Sequence, residues 1–126
     1  MKYALIGCGR ISTNHIKAAV NNGLEIAAVC DLLPERMEAL LEKHGLADDD
    51  SIRRYTDYQK MLGEVGPELV SIATESGSHA QIALFCIEKG IHAIIEKPMA
   101  MNMRDANEII RLSEEKGVVV SACHQN

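Results

Sequence analysis

The triplet Glu96-Lys97-Pro98 closes the apolar run His92-Ala93-Ile94-Ile95 and sets an ammonium group where a buried strand would emerge from a sheet. In an open parallel sheet, ligands bind in the crevice beyond the carboxyl ends of the strands, so a lysine there meets bound molecules rather than the core. Held beside a carbonyl or hydroxyl, its ammonium can polarise the oxygen or hydrogen-bond an alkoxide while a hydride moves, and partial burial would tune it for that work. The plainer reading of Lys97 is a surface lysine with a buried stem. Glu96 is open to three uses: pairing with Lys97, contact with a cofactor, or simple solvation. Pro98 restricts Lys97 to extended backbone and so gives it a fixed platform.

Chemistry of this kind needs a hydride carrier, and the N-terminus offers a seat for one. Lys2-Tyr3-Ala4-Leu5-Ile6 reads as a short buried strand that runs into Gly7-Cys8-Gly9-Arg10-Ile11-Ser12. Strand, glycine turn and helix together form the dinucleotide-binding fingerprint. Gly7 allows the tight turn, Gly9 lets backbone approach a pyrophosphate, and the following helix directs its free N–H groups and positive dipole end at that anion. Ser12 stands where the fingerprint takes Gly or Ala, an imperfect match. A Gly-x-Gly pair alone also occurs in ordinary turns.

The next apolar run, Leu24 to Cys30, ends at Asp31, at the distance from Gly9 expected of the carboxylate that binds the adenosine ribose. Without the glycines, Asp31 would read as a turn or capping residue before Pro34. A carboxylate there repels a 2′-phosphate, and Leu32 and Leu33 offer no cation to receive one. The expected cofactor is therefore NAD rather than NADP, although Arg10 or Arg36 could swing to a phosphate.

The elements that must hold these groups follow from periodicity. Apolar segments of strand length alternate with helical patterns, and four helices stop at glycines: Gly23, Gly45, Gly90 and Gly117. The first helix is expected from Arg10 to Asn22 and the second from Pro34, with Met37, Leu40, Leu41 and His44 on one face. Asp48-Asp49-Asp50-Ser51 reads as a solvated loop, 52–55 as an edge strand, and Asp57 as the cap of a helix reaching about Gly63. Gly66-Pro67 turns into the strand 68–73. Ala80, Ala83, Leu84 and Ile87 mark the apolar face of the following helix. Asn102 caps a helix that carries Ala106, Ile109, Ile110 and Ser113 inward, and 118–123 is the last strand. The expected fold class is α/β, a doubly wound parallel sheet of six strands in the order 3-2-1-4-5-6.

Other strand ends line the same crevice. Thr74, Ser76 and His79 follow the fourth strand and carry hydrogen-bonding groups suited to a ribose or carboxamide, or alternatively to capping the next helix. His124-Gln125-Asn126 follow the sixth. His15, His44, His92 and His124 read as helix or strand residues.

Composition narrows the classes. The chain has 126 residues, enough for one domain with its own core, and carries 13 Lys+Arg against 18 Asp+Glu for a formal charge of -5. No basic stripe is present to neutralise a phosphate backbone, so nucleic acid is a poor partner. No apolar run approaches the roughly 20 residues that span a bilayer, and Met1-Lys2 leads straight into a strand; no membrane partner and a cytoplasmic location are expected. Cys8, Cys30, Cys86 and Cys123 lack Cys-x-x-Cys spacing and read as small buried hydrophobes, so no metal site is expected.

Together, Gly7-x-Gly9-Arg10-Ile11, Cys30-Asp31, Ala73-Thr74 with His79 five positions on, Glu96-Lys97-Pro98 and His124-Gln125-Asn126 resemble the Gfo/Idh/MocA oxidoreductases along the whole chain. The resemblance implies a two-domain enzyme that moves a hydride between NAD or NADP and a sugar, nucleotide sugar or polyol, often as a homo-oligomer. It implies dinucleotide contacts from Gly7, Gly9, Arg10, Ile11, Asp31, Thr74, Ser76, His79, Glu96, Lys97, Gln125 and Asn126, with Lys97 as the catalytic residue and Lys97-Pro98 as a candidate cis peptide. The Arg-Ile-Ser continuation and Gln125-Asn126 are similar to the branch acting on nucleotide sugars, the UDP-N-acetylglucosaminuronate 3-dehydrogenases. Glu75 departs from the proline that the family commonly has after the threonine. The family also continues into a substrate-binding domain that carries a histidine, and often an aspartate, to work with the lysine. Residues 1–126 are accordingly expected to be the cofactor domain alone, binding dinucleotide without full turnover. Two other classes stay open: a stand-alone NAD-binding or redox-sensing module, and a methyltransferase, which would leave Lys97-Pro98 unexplained.

Overall fold

The computed structural model describes residues 1–9, 11–97 and 99–123, apart from the side chains of Ser76 and Cys123. The expectations placed on Arg10, Pro98, His124, Gln125 and Asn126 lie outside the described residues.

Six parallel strands form one sheet: β1 (Lys2–Ile6), β2 (Glu25–Cys30), β3 (Arg53–Tyr55), β4 (Leu69–Ile72), β5 (His92–Glu96) and β6 (Val120–Cys123). Their order is β3-β2-β1-β4-β5-β6, the doubly wound order expected. Five α-helices connect them: α1 (Ser12–Asn21), α2 (Pro34–Lys43), α3 (Tyr58–Val65), α4 (His79–Glu88) and α5 (Met103–Lys116), with a 3₁₀ turn at Ser76–Ser78 ahead of α4. The central strands are buried on both faces, which accounts for their continuous apolar sequences. One core cluster gathers Ile6, Val70, Ile72, Ala83, Ile87, Ile95 and Ile109; the other gathers Tyr3, Leu5, Ile16, Val29 and Leu41.

Helix boundaries follow the local signals. Asp57 caps α3, its Oδ1 accepting from the N–H groups of Gln59 at 2.9 Å and Lys60 at 3.4 Å. Asn102 does the same for α5 through Asp105 N–H at 2.9 Å. The four glycines expected to stop helices all take the left-handed backbone. Three details differ from expectation. α3 passes through Gly63 and ends before Gly66, because Gly66 supplies the left-handed residue. Ile110 is 48% exposed; α5 lays Ile109 into the core and Leu112 against it instead. His44 sits just past α2 with its Nε2 buried and without a hydrogen-bond partner, and burial beside Lys43 and Lys17 holds its pKa below the ordinary histidine value.

Candidate functional site

The switch point of the sheet lies between β1 and β4, where successive strands begin to build outward in opposite directions. Gly7 makes the exit from β1. Its N–H donates to the Cys30 carbonyl at 2.8 Å, and its φ of 97° is one that residues with a side chain rarely adopt. A Cβ at Gly7 would stand 2.6 Å from the Ala73 carbonyl carbon and oxygen, so the turn presses directly on the end of β4. Gly9 differs. A Cβ there meets no atom within 4 Å, so the protein itself does not require glycine at that position and the space above the turn is open to a ligand. This fits the arrangement in which backbone approaches a pyrophosphate.

Ser12, the imperfect third position, is fully buried, and its hydroxyl donates to the Gly9 carbonyl. The serine therefore closes the turn onto the start of α1 with a bond that glycine or alanine could not make. Asp31, just past β2, is 9% exposed. Its Oδ2 accepts from Cys8 N–H at 2.8 Å and its Oδ1 from Leu33 N–H at 2.9 Å. Asp31 is thus the turn aspartate of the plainer reading and also the tie that sets the glycine turn against the end of β2. Leu32 beside it is 83% exposed.

Beyond β4, His79 is buried and its Nε2 lies 2.8 Å from the Thr74 carbonyl oxygen. Ser78 donates to Thr74 Oγ1 at 2.8 Å or to the Glu75 carbonyl at 2.9 Å. The Thr74–Ser78 segment is therefore held by side chains. The cap expected there is made differently, since α4 has no side-chain cap bond at Ser78.

At the end of β5, Lys97 is exposed, so these residues do not supply the partial burial expected of it. Glu96 is neither solvated nor turned to the surface. It is 4% exposed and its Oε1 lies 2.5 Å from Nε2 of His15, itself 7% exposed, on α1. Sequence reasoning passed over His15 as an ordinary helix residue. The signal was present: Ser12, His15, Ile16 and Ala19 form the buried stripe of α1, and a histidine on such a stripe needs a partner.

Burial pushes the thiols of Cys8, Cys30 and Cys86 up to about 12, with the Asp31 carboxylate adding to the effect at Cys8 and Cys30. They behave as small core residues. Among the described residues, no group of three or more His, Cys, Asp or Glu side chains is arranged to hold a metal, and no helix is long and apolar enough to cross a membrane.

A family model described as the oxidoreductase family with an NAD-binding Rossmann fold matches residues 1–124. The chain belongs to the Gfo/Idh/MocA oxidoreductases. Within that family it is 36% identical over 126 residues to D-apiose dehydrogenase of Paraburkholderia graminis, covering 99% of this chain and 32% of the relative. It is 32% identical over 124 residues to D-glucoside 3-dehydrogenase of Escherichia coli, covering 96% of this chain and 34% of the relative. Among solved structures, WlbA dehydrogenase of Bordetella pertussis, in complex with NADH and UDP-GlcNAcA, superposes with a TM-score of 0.87 at 32% identity, over 100% of this chain and 38% of that one. The chain spans about a third of the length of the curated relatives it matches. The matched third is the NAD-binding Rossmann domain of the family.

Proposed function

We propose that this domain seats NAD for an enzyme that transfers a hydride between the nicotinamide and a hydroxyl or ketone of a sugar, nucleotide sugar or polyol. The observation that carries the reading is the pairing of an obligate glycine, Gly7, with an intramolecularly free one, Gly9, in a turn tied to Asp31, on the same sheet edge as Lys97. When bound, NAD supplies the hydride acceptor or donor.

The chain's own residues do the rest. Gly7, Gly9 and Ile11 bring backbone and the start of α1 to the pyrophosphate, and Arg10 is assigned a contact there from the sequence. Asp31 accepts from the adenosine ribose hydroxyls, using lone pairs its two backbone partners leave over. Thr74, Ser76 and His79 border the crevice beyond β4, and Gln125 and Asn126 are assigned further dinucleotide contacts from the sequence. Lys97 holds its ammonium at the reacting oxygen, and Glu96 supports it from inside the domain. NAD is preferred over NADP because the Asp31 carboxylate repels a 2′-phosphate and Leu32, exposed at the rim, carries no charge to receive one.

In this reading residues 1–126 are the cofactor domain of a longer cytoplasmic enzyme, whose remaining part supplies the substrate pocket, the acid or base that works with Lys97 and any oligomer contact. The likeness to WlbA dehydrogenase and the Arg-Ile-Ser continuation support a nucleotide sugar, and the 36% identity to D-apiose dehydrogenase supports a free sugar. The test is to titrate the full-length protein with NADH, NADPH and S-adenosylmethionine. Turnover is then assayed with NAD against D-apiose, myo-inositol and UDP-GlcNAcA. Failure to bind either dinucleotide removes the oxidoreductase reading, binding without turnover of any sugar tested favours a sensing module, and equal affinity for NADH and NADPH removes the role given to Asp31.

A further inference from the structure

The His15–Glu96 pair joins α1, which follows the glycine turn, to the end of β5 by a side-chain contact. Glu96 is the last residue of β5 and the immediate neighbour of Lys97. On the β6 side it still has a ladder partner, Cys123. On the β4 side the register ends with Ile72 opposite Ile95. The Glu96 side chain adds a tie toward the half of the domain that bears the glycine turn, through the 2.5 Å contact with His15. His15 in turn stands in the first turn of α1, one helical turn after Ser12, whose hydroxyl is fixed to the Gly9 carbonyl. Two side-chain contacts carried by one helix, Ser12 on the Gly9 carbonyl and His15 on Glu96, therefore connect the dinucleotide turn to the residue before the lysine through α1.

The chemistry of the pair explains why it would be kept. A buried carboxylate needs a donor, and a leucine or methionine at each position would fill the same volume without one. An apolar pair would pack but would fix neither the rotation of Glu96 nor the direction of the peptide that follows it. A charge-assisted bond is short and directional, and it sets both.

We propose that His15 and Glu96 are positioning residues that hold Lys97 in register with the dinucleotide turn, so that the ammonium meets the oxygen and the nicotinamide the carbon of one substrate C–O group. The proposal rests on the catalytic reading of Lys97. His15 touches neither cofactor nor substrate in it; it acts through Glu96.

The first test needs no substrate. In the full-length protein with NADH bound, lysines are acetylated with limiting acetic anhydride and the rate at Lys97 is referred to those at Lys60 and Lys116 by mass spectrometry. His15→Leu should change the Lys97 ratio by about threefold or more, and His15→Gln, which restores a donor near the Nε2 position, should bring it back to within about 1.5-fold of the parent. A Lys97 ratio that does not move, or that moves only together with Lys60 and Lys116 as general loosening would make it, overturns the proposal. If His15→Leu does not fold, Glu96→Gln, which keeps the shape and an acceptor but removes the charge, goes through the same measurement.

The second test is a kinetic cycle with NAD and whichever of D-apiose, myo-inositol and UDP-GlcNAcA is turned over. His15→Leu should lower kcat about tenfold while the NADH Kd stays within about twofold, and adding it to Lys97→Met should cost nothing further. Additive losses sink the positioning role while leaving the lysine its own. Unchanged kcat in Lys97→Met sinks both.

Discussion

The two halves of the sheet edge are held by different means. At the ends of β1 and β2 the groups being held are backbone N–H groups: that of Gly7 by the Cys30 carbonyl, and those of Cys8 and Leu33 by the Asp31 carboxylate. At the ends of β4 and β5 they are side chains: His79 on the Thr74 carbonyl, Ser78 on Thr74, and Glu96 on His15. A backbone-built turn fails when a side chain is added to it. A side-chain-built platform fails when a partner is taken away. The first can therefore present a constant surface to a constant ligand, whereas the second can be retuned one residue at a time.

The largest effect should come from adding a methyl group on the first side. Gly7→Ala faces both an unfavourable φ and a Cβ 2.6 Å from the Ala73 carbonyl, and should lose about 3 kcal/mol in urea unfolding. A loss below about 1 kcal/mol would mean that the turn relaxes and that the comparison is overdrawn. On the second side, His79→Ala removes the buried imidazole that braces the Thr74 carbonyl, and should cost about 2 kcal/mol and loosen the Thr74–Ser78 segment in amide exchange. Asp31→Asn keeps one acceptor for two backbone donors, so a loss of about 1 kcal/mol is expected, together with a weaker preference for NADH over NADPH in fluorescence titration. The smallest change in stability belongs to Gly9→Ala. Its Cβ meets open space, so unfolding should shift by no more than about 0.5 kcal/mol while NADH affinity falls about tenfold. If stability falls as it does for Gly7→Ala, the glycine serves the fold and not a ligand.

The buried thiols give a pH test of the backbone-built side. Cys8 and Cys30 have ordinary values of 9.0 raised to about 12 by burial first and by Asp31 second. Below about pH 9 both the folded and unfolded chains keep these protons, and stability is undiminished. As pH rises from there toward 12 the unfolded chain releases protons that the fold retains, and stability should fall. Urea midpoints measured from pH 8 to 10.5 should fall progressively above about pH 9 and fall less steeply when Cys8 and Cys30 are replaced by Ala, the remaining slope coming in part from Cys86.

The backbone-built side was legible in the sequence almost throughout, because its signals are local: Gly7 and Gly9 after an apolar run, and Asp31 closing the next one. Strand order followed from the same alternation. The side-chain-built side was legible only as a list of suitable groups. Lys97 was visible because Pro98 and the strand before it mark the position, but the partner of Glu96 lies 81 residues away and no pattern in one chain pairs them. Ser12 was misjudged for a related reason. It reads as small enough to fit but an imperfect match to Gly or Ala, whereas its hydroxyl makes a bond to Gly9 that volume alone does not reveal. The orientation of α5 failed at Ile110 because a helix lying at the margin of the sheet buries a narrower stripe than one over its centre, and apolar periodicity does not report that width.

The contact between Gly7 and the Ala73 carbonyl bears on motion. With the exit of β1 resting against the end of β4, the midline of the crevice is expected to move as one piece. Entry and release of any ligand seated there would then be governed by segments at the rim, such as Thr74–Ser78. Slow steps in such a protein would be found by watching those rims, while the floor between them stays still.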